Sequence, residues 1–449
     1  MWFAARCLIA EVSLGLKDKM PSSSFTAGQS VTPTMHPDRR WLAVILIVAG
    51  LLRLGVVCWK PDALLEDRDL YWGIAQRVAV GDGFVHPELG HATAYRPPLY
   101  PLLLALIVSS GGGLKLLAAV QIALGTATVW LTWMLGRHLS LGRRALLAAA
   151  LVAINPLLVQ ATSLAMTETL FTFLVTACLL AAITNRWITL GVFVGLAMLC
   201  RPTMFAFVGL SSVVFLACHF WFPKPVGRDW RSMGLALLVC VVIIAPWGLR
   251  NGWLFGKPII TTTHGGYTLL LGNNDEAYRA EVERPLRTLW DSRPWQRSLE
   301  EELQRVGIAP ADEVLRDRWM SERAWTWITS HPHEFTAACW LRVKRFWNVS
   351  PVGSDAATFP RAVLWGIAIF YTLELIAAAA GVWRLSRDEW ATWLLLLLLI
   401  LSFFAVHIIY WSNMRMRAPI EPALCLFALK SWGGTKQIAC QLTACCRPS

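Results

Sequence analysis

The sequence predicts an all-α polytopic membrane protein of about ten or eleven transmembrane helices. Two observations carry that prediction. Apolar runs near the ~20 residues needed to cross a ~30 Å hydrocarbon core recur along the chain, at 41–59, 114–136, 145–162, 170–184, 188–200, 204–222, 233–249, 362–383, 390–410 and 418–429. Placing the short-loop Lys and Arg in the cytoplasm then puts Arg39, Arg40, Arg137, Arg143, Arg144, Arg186, Lys224, Arg231, Arg384, Arg387, Lys430 and Lys436 on one side. Composition agrees. With 56% hydrophobic and 16% charged residues, the 449-residue chain is too apolar for a soluble or disordered protein. The net charge of +12 resides in short loops between apolar runs, which argues against nucleic acid as a partner. Many of the 24 tryptophans, such as Trp41, Trp59, Trp187, Trp247 and Trp411, stand at segment ends, where indoles anchor at headgroups.

In chain order, residues 1–40 read as a disordered N-terminal extension, rich in Ser, Thr and Pro over 21–37, with a functional start at or near Met35. Residues 41–250 form a membrane module whose first outer loop, 60–113, carries an acidic cluster and a helical 72–80. The apolar run that follows and ends near Ser110 is too short to cross and reads as an interfacial or re-entrant helix. Residues 251–361 make an outer-face region. Thr261 to Gly266 and Gly272-Asn273-Asn274 read as loop, and helical spacing begins at Leu299 and resumes over 332–347. Membrane helices return over 362–432, and 433–449 is a cytoplasmic tail. The long outer region holds only Cys339, so no disulfide framework is expected, and Cys445 and Cys446 read as free thiols.

This arrangement leaves Glu66, Asp67, Asp69, Arg96, Glu168, Arg201, Arg250, Arg415 and Arg417 on the outer face. A carboxylate there can act as general base toward an acceptor hydroxyl, and arginines offer paired donors for phosphate oxygens. Snorkelling to the interface is the competing reading for each arginine, and helix capping for Glu168. His86, Glu88 and His91 lack a third strong ligand for a structural metal. A divalent ion such as Mg or Mn between Asp67, Asp69 and a phosphate is possible but not demanded. Gly111-Gly112-Gly113 lacks the lysine of a nucleotide loop and reads as a hinge.

Several of these pieces form an ordered set: Asp67-Arg68-Asp69-Leu70-Tyr71, Gly81-Asp82-Gly83-Phe84, Arg96-Pro97-Pro98-Leu99-Tyr100-Pro101, Arg201-Pro202, Pro246-Trp247-x-x-Arg250-Asn251, Gly272-Asn273-Asn274, and Arg415-x-Arg417-x-Pro419-x-x-Pro422. The set resembles the membrane glycosyltransferases of the protein O-mannosyltransferase type, which include the lipid A aminoarabinose transferases and share the fold class called GT-C. The resemblance implies sugar transfer from a polyprenyl-phosphate donor to an acceptor lipid, glycan or protein on the outer, periplasmic face of the plasma (inner) membrane. It assigns the base to Asp67, with Asp69 and Glu66 as alternatives because Arg68 stands where the family usually carries Glu. The donor phosphate falls to Arg96, Arg201, Arg250, Arg415 and Arg417, and acceptor or supporting roles to Glu168, Tyr71 and Asn273.

Two other functions fit the same surface. A lipid-linked oligosaccharide ligase or polymerase would use the same carrier. A flippase or transporter would place charge within the spans, where Arg53 and Glu374 are the main exceptions to apolarity, and no internal repeat supports it.

Overall fold

The computed structural model describes residues 37–67, 69–221, 230–283, 290–357 and 359–432. The expected start at Met35, Arg68, most of the 224–231 basic loop and the 433–449 tail lie outside the described residues. The helices are α1 (Pro37–Trp59), α2 (Tyr71–Ala79), α3 (Leu99–Ser109), α4 (Gly113–His138), α5 (Arg144–Ile154), α6 (Pro156–Ala161), α7 (Glu168–Ile183), α8 (Trp187–Cys200), α9 (Thr203–Trp221) and α10 (Trp230–Phe255). The outer region contributes α11 (Gly265–Gly272), α12 (Asp275–Glu281), α13 (Arg293–Arg305), α14 (Glu313–Ser330), α15 (Pro332–Phe346) and α16 (Ser354–Ala357). The chain closes with α17 (Arg361–Trp383), α18 (Trp390–Ile409), a 3-10 segment (Met414–Ile420) and α19 (Glu421–Lys430).

Five of these helices, α1, α4, α10, α17 and α18, are long and apolar enough to cross a membrane. Shorter apolar helices fill the bundle between them. The basic loops converge on one end. Arg137 and Arg143 both lie 3.4 Å from Asp38, Arg144 donates to the Leu429 carbonyl, and Lys430 pairs with Glu389. Helix α3, 11 residues long, spans only about 17 Å and packs on α2 in the first loop, as its length requires.

Three segments depart from the expected pattern. The 145–162 run is broken at Asn155-Pro156 into α5 and α6, because proline has no N–H to continue the ladder. The last run is helical only from Glu421, with Met414–Ile420 wound as 3-10 around Pro419. Asn273-Asn274 is the non-helical connection expected there, but it is short and lies between two helices where loop was expected on both sides. Helix α11 runs up to Gly272, and the Asn274 side chain accepts from Ala277 N at 2.8 Å to start α12.

A break inside a membrane helix exposes backbone groups that lipid cannot satisfy. Here side chains satisfy them. Arg53 of α1 reaches the Ala153 carbonyl at 3.2 Å, placing a cation at the C-terminus of α5. Gly125 of α4 leaves the space through which that guanidinium passes. On the other side of the break, the Tyr371 hydroxyl accepts from Leu157 N at 2.9 Å and Asn155 Oδ1 accepts from Leu158 N at 3.2 Å. Tyr371 donates to Asn155 Oδ1, Asn155 Nδ2 donates to Glu421 Oε2 at 2.9 Å, and Arg417 Nε donates to Glu421 Oε1 at 2.6 Å. Arg417 then donates to the Phe346 and Asn348 carbonyls, at 3.1 and 3.0 Å. Arg417 and Glu421 are both fully buried.

Removing one partner of such a pair leaves an uncompensated buried charge. Arg417→Met is expected to cost about 3–5 kcal/mol, read as a lower melting midpoint in detergent, and the Arg417→Met, Glu421→Met double variant should recover most of it.

Candidate functional site

The site is assembled from the 60–113 loop, the N-terminus of α7, the C-terminus of α8 and the 3-10 segment. In the loop, Leu70 takes a left-handed backbone (φ 61°) just before α2. That turn costs about 1–2 kcal/mol for a side chain with a Cβ. It lets the Asp67 carboxylate cap the helix, with Oδ1 accepting from Trp72 N at 3.0 Å and Oδ2 from Gly73 N at 2.7 Å. Asp69 turns the other way and pairs with Arg96 at 2.8 Å, while Arg96 Nε donates to the Asp69 carbonyl. The Arg96 guanidinium lies 5.3 Å over the Tyr71 ring and 4.8 Å over Tyr95. Tyr71 packs edge-on against Tyr100 at 5.2 Å. Burial, relieved in part by Arg96, pushes the Tyr71 phenol up to about 12, so it is a proton donor and not a base near neutrality.

The second half is built on Glu168, which is 2% exposed at the first position of α7. One of its oxygens, Oε1, meets two guanidinium groups, Arg201 at 2.9 Å and Arg415 at 2.8 Å. Arg201 Nε also donates to Thr167 Oγ1 at 2.5 Å. Two guanidinium groups thus converge on one buried carboxylate, an arrangement that gathers N–H donors suited to the oxygens of an anion. The two halves are continuous. Tyr71 is within electrostatic reach of Asp69, Arg96 and Arg201, and Tyr100 of Glu168 and Asp67. The crevice beside Glu168 and Arg415, lined also by Gln160, Leu164 and Ala418, is narrow, so a phosphate there requires a side chain to swing aside.

Asp67, Asp69, Tyr71, Arg96, Glu168, Arg201 and Arg415 are thus brought together. The other expected residues are placed differently. Glu66 is exposed at the loop surface. Arg250 lies within α10, and its donors go to the Thr93 carbonyl (2.7 Å), the Phe84 carbonyl (2.9 Å) and Asn251 Oδ1 (2.7 Å). Arg417 faces the bundle interior. Asn273 is fully buried, donating to the Leu269 and Ile409 carbonyls and accepting from Arg342. A divalent cation at the acidic loop would share the Asp67 oxygens with the backbone N–H groups and the Asp69 carboxylate with Arg96. Among the described residues no group of three or more His, Cys, Asp or Glu is placed to hold a metal.

Sequence reading missed Glu313, which joins the outer region to the loop. Its buried carboxylate accepts from the Thr93 hydroxyl, from Ala94 N at 2.9 Å and from Thr263 Oγ1 at 2.8 Å. Its partners lie 50 and 220 residues away, so no local pattern marks it. Nearby, His264 stacks on Tyr267 and abuts Tyr95. Burial, reinforced by Arg96, holds its imidazole well below the usual 6.5.

A family model described as dolichyl-phosphate-mannose-protein mannosyltransferase matches residues 95–249, which include Arg96, Glu168 and Arg201 but not Asp67 or Arg415. No curated protein matches the chain in sequence. Among solved structures, the oligosaccharyltransferase AglB of Archaeoglobus fulgidus, with an inhibitory peptide and a dolichol-phosphate, superposes with a TM-score of 0.51 at 13% identity over 92% of this chain. The chain spans about half of that protein, 52% of its length. ArnT of Cupriavidus metallidurans, bound to undecaprenyl phosphate, gives a TM-score of 0.40 at 15% identity, over 91% of this chain and 81% of its own.

Two outcomes are expected. Arg250→Gln leaves buried loop carbonyls without donors and should lower the melting midpoint by the equivalent of about 1–3 kcal/mol. For His264, the unfolded chain takes up a proton near pH 6.5 that the folded chain refuses. Its contribution is therefore complete above that pH and is lost as pH falls below it, and His264→Phe should flatten the stability–pH profile between 6.5 and 5. The protein is an all-α, multi-pass membrane protein with a GT-C-like fold.

Proposed function

We propose that this protein transfers a sugar from a polyprenyl-phosphate donor to an acceptor hydroxyl on the outer, periplasmic face of the membrane. The observation that carries the reading is the pair Arg201 and Arg415 on one oxygen of buried Glu168, beside an acidic first loop. The guanidinium donors gathered there suit a lipid phosphate whose charge grows as the glycosidic bond breaks. The family match over 95–249 and the dolichol-phosphate held by the archaeal oligosaccharyltransferase support the same donor class.

In this mechanism the acceptor oxygen attacks the anomeric carbon in one displacement. The acceptor proton passes to a loop carboxylate and the C–O bond to phosphate breaks as the new bond forms. Asp67 is the assigned base. Two backbone N–H groups fix its orientation, and each carboxylate oxygen keeps a further lone-pair direction for the acceptor hydroxyl. Asp69 acts through Arg96, holding that guanidinium over Tyr71. Arg96, Arg201 and Arg415 receive the departing phosphate, which as a stable anion leaves without a strong acid. Glu168 keeps Arg201 and Arg415 together until the donor arrives. No step is routed through a metal.

The test uses purified full-length protein in detergent with a panel of polyprenyl-phosphate sugars. Asp67→Asn should lower the rate of polyprenyl-phosphate release by about 10²–10⁴-fold with donor binding intact. Arg201→Gln should raise the KM for donor by about tenfold or more. Turnover indifferent to Asp67→Asn would move the base to Asp69 or Glu66. Donor binding with no turnover on any sugar would replace transfer by lipid-linked sugar translocation.

A further inference from the structure

A second pair of buried arginines lies at the end of α15, apart from the Glu168 site. Arg342 and Arg345 stand one helical turn apart, on the same face, 5% and 7% exposed. Arg342 donates to the Ile408 and Ile409 carbonyls at 3.0 and 2.9 Å, to the Gly272 carbonyl and to Asn273 Oδ1 at 3.0 Å. All of these acceptors are neutral. Arg345 has one carboxylate partner, Glu281, which meets Nη1 at 2.7 Å. Its Nε and Nη2 are buried and meet no acceptor. Those two donors form the side-on edge of the guanidinium, the edge that grips two oxygens of a carboxylate or phosphate at once.

The charges here do not balance, since two guanidinium groups face a single carboxylate. Burial lowers Arg342 below its ordinary range, Cys339 and Glu281 resist the fall, and Arg345 adds to it, as expected for two crowded cations. On the outer stripe of the same helix, exposed Trp340 carries Lys344 5.3 Å from its ring, a pairing suited to the headgroup layer.

We propose that Arg345, with Arg342 beside it, forms a second oxyanion site that binds a phosphate or carboxylate group through the free Nε/Nη2 edge. The site does not depend on the transfer reading. It would hold an anionic headgroup or a soluble anion against the outer region, at a position distinct from the Arg201–Arg415 pair.

The test uses the full-length Arg201→Gln protein, so that the Glu168 site contributes little, and follows melting and binding against inorganic phosphate and against vesicles with or without phosphatidylglycerol. Saturable stabilisation is expected, with Arg345→Lys weakening it about tenfold by keeping the charge and losing the fork. A response to phosphate alone identifies a soluble anion. A response confined to phosphatidylglycerol vesicles identifies a lipid headgroup. Should Arg345→Lys fail to fold, Glu281→Gln gives the opposite reading, because removing the resident carboxylate should tighten anion binding. The proposal is overturned if neither anion stabilises the protein, if Arg345→Lys binds as well as its parent, or if Glu281→Gln leaves binding unchanged or weaker.

Discussion

The interruption of the membrane helix at Asn155-Pro156 constrains much of the bundle. Backbone groups freed inside an apolar medium need partners, and water is not on hand to supply them. The protein recruits Arg53, Tyr371, Asn155, Glu421 and Arg417 from α1, α17, the break itself, α19 and the 3-10 segment. Arg53 holds the Ala153 carbonyl, and Tyr371, Asn155, Glu421 and Arg417 are each held by the next, so these contacts set the relative positions of helices distant in sequence. It also ends at the Phe346 and Asn348 carbonyls, which ties the last turn of α15, and with it the outer region, to the membrane bundle.

The same 3-10 segment serves the outer site. Arg415 and Arg417 are two residues apart, and the tight winding sends them to different environments. Arg417 enters the bundle network, while Arg415 reaches Glu168. At that carboxylate Arg415 meets Arg201, and Glu168 restrains the mutual repulsion of the two guanidinium groups. On its other side, Glu313 and Arg250 occupy backbone groups at Phe84, Thr93 and Ala94, so that part of the first loop is held from α14 and from α10 together. Rigid support of this kind keeps Asp67 and Arg96 in register with Arg201 and Arg415.

Much of this was legible in residue order. Apolar runs of near-constant length, with basic residues grouped in alternate loops, follow from the thickness of a bilayer and the cost of moving cations through it. They located the spans and the short α3. The break at Asn155-Pro156 is visible as a proline, but a single apolar run conceals it. Helices α11 and α12 were concealed by Gly and Asn, residues that mark turns and also begin or end helices.

Sequence by itself determined the class of protein and the order of its acids and arginines between apolar runs, because hydrophobic length and charge alternation are local properties. Only the tertiary structure decided which arginines face an anion and which are consumed by the protein. Arg250, Arg342 and Arg417 fill carbonyls freed at helix ends and loops, Arg201 and Arg415 share one carboxylate, and Arg345 keeps an open edge. The reason is physical: a guanidinium has the same five donors wherever it stands, and its role depends on which acceptors the fold brings within 3 Å of them.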